Sequence, residues 1–241
     1  NLEKRNVNLN KLTQLSMQNV NEYIGVNRII IWPETSFEGT IPNEMELLSV
    51  ISKRILTDQK AILVVGLLRA DKNKLFNSLV FLNSKGNIIH HYDKIHLVPF
   101  GEYIPLRNKF TTIANFLSLK DFSSGNIKPN FTLKGFGNIL TLICYEILFT
   151  EEVISRLSKN TNLLINITND AWFGKTIGPY QHLALAKIKA VELGIPLARV
   201  ANTGISALIS PYGEEITKIP LYESGVRTAK LILPLKNTIY R

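Results

Sequence analysis

Cysteine is nearly absent from this chain: Cys144 is the only one among 241 residues. A lone cysteine excludes an internal disulfide and any cysteine-rich metal site, and it leaves the compartment open. Long apolar runs are missing as well. The longest, residues 61–68, is strand-length, whereas a membrane-spanning helix needs about 18 residues or more. Acidic residues are in deficit, with 19 Asp and Glu against 28 Lys and Arg and a net charge of +9. A basic surface attracts nucleic acid, anionic lipid or acidic substrates. The lysines are scattered, however, with no cluster of four or more and no nucleic-acid motif, so nucleic acid is not an expected partner. A solvated lysine-rich surface and a lipid-facing patch both fit. No internal repeat, low-complexity tract or signal peptide appears, and the first residue is Asn1, not Met. That beginning reads as a mature product or a piece of a longer chain.

What is present is a core. With 45% hydrophobic residues the chain buries enough apolar surface to exclude disorder, and its length suits one α/β domain over residues 1–241. Leu9, Leu12, Val20 and Ile24 recur at helical spacing and predict a helix over 8–24. Residues 28–32 form a short apolar strand stopped by Pro33. Asn43 and Glu46 read as a capping box for a second helix reaching Thr57. Strands are predicted over 61–69, 76–82 and 88–90, the last two as a hairpin. Residues 91–137 lack periodicity apart from one short helix near Phe110 to Leu117, and a loop that long is usually functional. A strand at 140–143, a short helix capped by Thr150, a strand at 163–168 and a helix over 179–193 closed by Gly194 follow. Strands at 197–201, 205–210 and 226–233 complete the pattern.

Three strand ends carry chemistry. Strand 28–32 runs into Pro33-Glu34, the strand at 88–90 is followed by Asp93-Lys94, and strand 140–143 ends on Cys144. Charged residues after apolar strands are often plain terminators, and a lone cysteine is most often a small core hydrophobe. A carboxylate, an ammonium and a thiol at equivalent strand ends together supply a base, an oxyanion stabiliser and a nucleophile for acyl transfer. A thiol in an aliphatic strand would otherwise stay protonated and inert, so it needs Glu34 beside it.

With those flanks the sequence resembles the carbon-nitrogen hydrolase (nitrilase) superfamily, and within it the apolipoprotein N-acyltransferases. The resemblance rests on Trp32-Pro33-Glu34-Thr35, on Tyr92-Asp93-Lys94-Ile95-His96-Leu97 running into Val98-Pro99-Phe100-Gly101-Glu102-Tyr103-Ile104-Pro105, and on Leu142-Ile143-Cys144-Tyr145-Glu146. Asn169-Asp170-Ala171-Trp172-Phe173-Gly174, Gly178-Pro179 with Gln181-His182, and Arg199 with Asn202-Thr203-Gly204-Ile205-Ser206 add to it. It departs from the family at Lys189 and Ile195, where arginines are usual.

The resemblance implies a four-layer αββα sandwich whose first strand is missing from this chain, the fold extending from a longer membrane protein. It implies an acyl chain passed from a phospholipid to a cysteine thioester, then to the N-terminal amine of a diacylglyceryl-cysteine lipoprotein. Glu34 is then the general base, Lys94 the oxyanion stabiliser and Cys144 the nucleophile, with Glu102, Tyr145 and Glu146 as additional active-site residues. No cofactor and no metal are implied. Location at a bacterial inner membrane, with this domain on the periplasmic face and the membrane reached through regions outside the chain, is implied too. A soluble nitrilase-type amidase hydrolysing a small amide is the alternative enzyme, opposed by the motif from Pro99 to Pro105 and by glutamate at 146, where many soluble amidases have aspartate. An inactive lipid- or protein-binding relative would require a broken triad.

Several residues keep two readings. Asn77 belongs near the pocket or forms a turn. Trp172-Phe173 lines an acyl channel or packs the core. Asn169-Asp170 reads as loop architecture, and His96 and His182 lie too far from other ligands to form a metal site. Residues 106–122, with Phe110, Ile113, Phe116, Leu117 and Leu119 behind Arg107 and Lys109, suit an interfacial contact through which a lipid chain reaches Cys144.

Overall fold

A computed structural model of the chain describes residues 2–18, 20–105, 121–126 and 130–240. The expected lipid-facing segment therefore lies outside the described residues, apart from Asp121 and Phe122. Helix α1 (Leu2–Ser16) comes first and buries Leu9, Thr13 and Ser16. It starts earlier than its spacing predicts, because residues 2–8 are mostly polar and carry no periodic signal. It also stops earlier. Val20, which continued the spacing, is buried by a separate 3₁₀ turn (Val20–Tyr23), and Ile24 is exposed.

Strands β1 (Arg28–Ile31) and β2 (Phe37–Ile41) follow, then helix α2 (Met45–Ile55). The expected capping box does not form: Glu44, not Asn43, occupies the cap and makes no side-chain cap bond. Its carboxylate pairs with Arg5 instead. Strands β3 (Ala61–Asp71), β4 (Lys74–Leu82) and β5 (Ile88–Asp93) form an antiparallel meander. Both β1 and β2 lie parallel to β3 on one side, one after the other. Strand β5 is longer than predicted, since its last residue, Asp93, still pairs with Ser78.

The second sheet has the order β11-β10-β9-β8-β7-β6. Its strands are β6 (Asn130–Leu133), β7 (Gly137–Ile143), β8 (Thr161–Asn169), β9 (Leu197–Asn202), β10 (Ser206–Ile209) and β11 (Glu215–Ile219). Strands β7, β8 and β9 are parallel and are joined by helices α3 (Thr150–Arg156) and α4 (Gly178–Leu193). Helix α4 ends at Gly194, whose φ of 61° is the left-handed geometry a C-terminal glycine permits. Thr150 does not cap α3; its hydroxyl is taken by Lys189. Lys189 and Ile195, the two departures from the family pattern, are both buried structural residues.

The period-2 alternation of the strands sorts the core into layers. Leu63, Val65 and Leu67 face α1 and α2, while Ile62 and Val64 face the other sheet. Leu164 faces α3 and α4, while Leu163, Ile165 and Ile167 face inward. The result is the expected four-layer αββα sandwich.

One strand expectation needs correction. Residues 226–233 join no ladder, and β11 takes the sheet edge instead. Strand β11 was unreadable because Glu215 and Lys218 break its apolar content, as suits a charged edge. Residues 226–233 instead line a groove of about 1000 Å³ that β1 also lines. Among the described residues β1 pairs only with β3, so its outer edge opens onto that groove. No helix among the described residues is long and apolar enough to cross a membrane.

Candidate active site

The fold brings Glu34, Lys94 and Cys144 together from three strand ends. Glu34 sits where the chain leaves β3 between β1 and β2. Trp32 is the last residue of the first segment to bond β3, and Phe37 pairs again with Leu67. The intervening turn presses against Gly66 of β3. A Cβ there would lie 2.4 Å from the Pro33 carbonyl oxygen and 2.7 Å from Glu34 Cα, so only glycine permits this approach.

Lys94 follows β5 directly, its backbone N–H donating to the Asn77 carbonyl. The preceding Asp93 is clamped by Arg69 through two bonds of 2.9 and 2.7 Å and by Ser78 at 2.6 Å. Cys144 follows β7 directly, with a φ of 54°, and a 3₁₀ turn (Cys144–Leu148) begins on it. A left-handed backbone is costly for a residue with a Cβ, and such strain collects at functional sites.

Within the site, Lys94 Nζ lies 2.8 Å from Glu102 Oε2 and 3.9 Å from Glu34 Oε1. Asn77 Nδ2 donates to Glu34 Oε1 at 2.7 Å and to Glu102 Oε1 at 2.9 Å. Asn77 is thus a buried strand residue bridging two carboxylates, not a turn residue. Glu102 is presented by the tight turn at 98–103 and accepts the Val98 N–H at 2.8 Å. Glu34 Oε2 has no hydrogen-bond partner among the described residues.

The electrostatics follow from burial. Burial raises the pKa of Glu34 above the usual carboxylate range, against the opposing pull of Lys94 and Asn77. Burial and the Glu34 charge push the Cys144 thiol up to about 12, opposed by Lys94, Thr168 and the Asn169 backbone. Burial also works against the Lys94 ammonium, but Glu34, Cys144 and Glu102 together hold it above its ordinary value. The resting site is therefore a protonated thiol beside a carboxylate of raised basicity and a firmly charged ammonium. Such a set can take the thiol proton as the sulfur attacks and neutralise an oxyanion.

Tyr145 and Glu146 diverge. Tyr145 is half-buried and stacks on His182 at 5.3 Å, with Phe173 at 6.0 Å, forming an aromatic wall beside Cys144. Trp172 is 82% exposed, so it does not pack the core. Glu146 is buried in a hydrogen-bond cluster of its own. Its Oε1 accepts from Tyr92 (2.6 Å), Ile95 N (3.0 Å), His96 N (3.1 Å) and Arg156 (3.2 Å), and its Oε2 from Ile143 N (2.8 Å). It ties the turn after Lys94 to the turn at Cys144. Asn169 caps the 3₁₀ turn Asp170–Phe173 through a 3.1 Å bond to Ala171 N, in keeping with loop architecture. Asp170, by contrast, is buried against Arg199 and His182. Residue types alone did not single out Asn166, Thr168 or Gly66; a polar or side-chain-free position inside an apolar strand was the signal.

The sequence profile described as carbon-nitrogen hydrolase matches residues 3–236. Apolipoprotein N-acyltransferase of Rhizobium etli (strain CIAT 652) is 42% identical over 206 residues, 82% of this chain and 38% of the relative. That of Vibrio cholerae is 34% identical over 224 residues, 88% of this chain and 44% of the relative. This chain thus spans about two-fifths of the length of the curated relatives it matches. Among solved structures, a carbon-nitrogen hydrolase from Helicobacter pylori G27 superposes with a TM-score of 0.68 at 16% identity, covering 91% of this chain and 82% of that one. With its sandwich shared by that structure and its sequence matched nearly end to end, this chain belongs to the carbon-nitrogen hydrolase family.

Proposed function

We propose that this chain is the catalytic portion of an apolipoprotein N-acyltransferase acting at a bacterial inner membrane, with this domain on the periplasmic face. The observation that carries the reading is the 42% identity to a relative of that name over most of the chain. The geometry supports a two-step reaction on Cys144.

In the first step Cys144 Sγ attacks the ester carbonyl of a phospholipid while Glu34 accepts the thiol proton. Lys94 balances the oxyanion of the tetrahedral intermediate. Collapse breaks the C–O bond, and Glu34 returns the proton to the departing lysophospholipid oxygen. In the second step the α-amine of a diacylglyceryl-cysteine lipoprotein attacks the thioester and Glu34 takes its proton. Collapse breaks the C–S bond, and the proton passes to the sulfur. Tyr145 and Phe173 form one wall beside the thiol, and Glu102 with Asn77 holds Glu34 and Lys94 in register.

The test is to incubate the intact protein with a phospholipid carrying a labelled acyl chain and to follow the Cys144 peptide by mass spectrometry. A labelled thioester that disappears when a diacylglyceryl-cysteine peptide is added, with label gained by that peptide's amine, supports the reading. Loss of the label to water at the same rate with or without the peptide would favour a hydrolase instead.

A further inference from the structure

The reaction scheme leaves unused a group of buried polar side chains beneath the nucleophile. Arg199 on β9 is fully buried, and Asn166, its register partner on β8, is buried with it. Arg199 Nη1 donates to Asn166 Oδ1 at 3.1 Å. That contact fixes which way the amide faces, because only its oxygen can accept from a guanidinium. Asn166 Nδ2 is then turned toward two carbonyl oxygens, those of Leu142 at 3.4 Å and Cys144 at 3.2 Å. The second belongs to the left-handed nucleophile itself.

The remaining donors of Arg199 hold it in place. Nη2 donates to Asp170 Oδ2 at 2.7 Å, and Nε donates to the Ile205 carbonyl at 3.3 Å. The turn before Ile205 lies flat on this carboxylate: a Cβ on Gly204 would come 2.2 Å from Asp170 Oδ2. Asp170 Oδ1 in turn accepts from Thr168 at 3.3 Å. A buried ion pair of this kind is often no better for stability than well-packed apolar residues. Its connection to the Cys144 carbonyl gives it another use.

We propose that Arg199 is a positioning residue for Cys144: through Asn166 it holds the nucleophile's backbone in its left-handed turn, keeping the thiol aimed at Glu34 and Lys94. The inference rests on the reading of Cys144 as the nucleophile. It also gives the Asp170, Arg199 and Gly204 motifs one shared purpose, with Asp170 anchoring the guanidinium and Gly204 letting the backbone reach it.

The test compares Arg199→Lys, Asn166→Ser and their double variant. Lysine keeps a positive charge for Asp170 but cannot donate in one plane to Asn166, Asp170 and Ile205 together. Serine removes the amide bridge without disturbing the ion pair. The readout is the rate of Cys144 alkylation by iodoacetamide near neutral pH, followed on the Cys144 peptide in the intact protein, with thermal unfolding recorded alongside. Each single variant is expected to react on the order of 10-fold more slowly, and the double variant no more slowly than either. A merely loosened fold would expose the buried thiol and speed alkylation.

Wild-type or faster alkylation in folded Asn166→Ser, or losses that multiply in the double variant, would overturn the proposal. If Arg199→Lys gives no cooperative unfolding transition, the neutral pair Arg199→Gln with Asp170→Asn takes its place and is judged by the same outcomes. Alkylation needs no acyl donor. A wild-type protein that formed no thioester with phospholipid would therefore count against the proposed function, while the alkylation rates would still decide this inference.

Discussion

The closest charged partner of the Lys94 ammonium is Glu102, at 2.8 Å, while Glu34 stands 3.9 Å away. This spacing divides the labour between the two carboxylates. Glu102 is saturated by Lys94, Asn77 and the Val98 N–H, whereas Glu34 keeps one oxygen free of hydrogen bonds among the described residues. On the proposed mechanism Glu34 is the carboxylate that receives a proton, and Glu102 the one that keeps Lys94 charged and in place.

Glu102→Gln should therefore lower acylation on the order of 10- to 100-fold, the range for losing a hydrogen bond to a charged group. Removing a carboxylate that raises the Lys94 pKa must lower that pKa, so the alkaline limb of the rate profile should move to lower pH. Acylation rate against pH checks this; an unmoved alkaline limb would assign Glu102 some other task.

Glu146 should behave differently. It is buried among five hydrogen bonds that join the turns after Lys94 and at Cys144. Glu146→Gln turns amide hydrogens toward backbone N–H donors and leaves Arg156 paired with Glu152 alone, which should destabilise the fold by about 3 kcal/mol. Urea unfolding measures it. Lost activity with unchanged stability would instead place Glu146 in the chemistry.

The open edge of β1 predicts the behaviour of the 241 residues on their own. An unpaired edge beside an apolar groove is a template for pairing with another chain. The isolated chain should be marginally stable and form concentration-dependent aggregates, visible by light scattering. A monodisperse product with a sharp, reversible thermal transition would contradict this.

What the sequence made legible, and what it hid, follows from the range of the interactions. Glu34, Lys94 and Cys144 were singled out because each lies within a few residues of the end of a short apolar strand, and strand ends are a local signal. Glu102 was readable only through its motif, since its partners Asn77 and Lys94 come from elsewhere in the chain. Asn77 had no local mark to separate a bridging strand residue from a turn former. Glu146 was readable through its motif beside Cys144, but its bonds to Tyr92, Ile95, His96 and Arg156 come from other parts of the chain. Asp170 and Arg199 are 29 residues apart and meet only once β8 and β9 are paired. Residues 226–233 are apolar enough for a strand, but a ladder needs a neighbouring edge, and they pair with none, lining the groove together with β1.

The central claim is that Cys144 is acylated with Glu34 as base and Lys94 as oxyanion partner, and acylation rate against pH for three variants tests it most directly. Cys144→Ala should carry no acyl group. Because Glu34 has a raised pKa, wild-type acylation should rise with pH to a plateau reached above the ordinary carboxylate range. Glu34→Gln should lose on the order of 10²–10⁴ in rate. That loss should shrink as pH climbs toward the thiol pKa, itself lowered from about 12 once the Glu34 charge is gone. Lys94→Met should lose on the order of 10²–10³ and recover less at high pH, because thiolate formation is not its main task. An acyl adduct on the Cys144→Ala protein, or equal recovery in the Glu34 and Lys94 variants, would contradict the account.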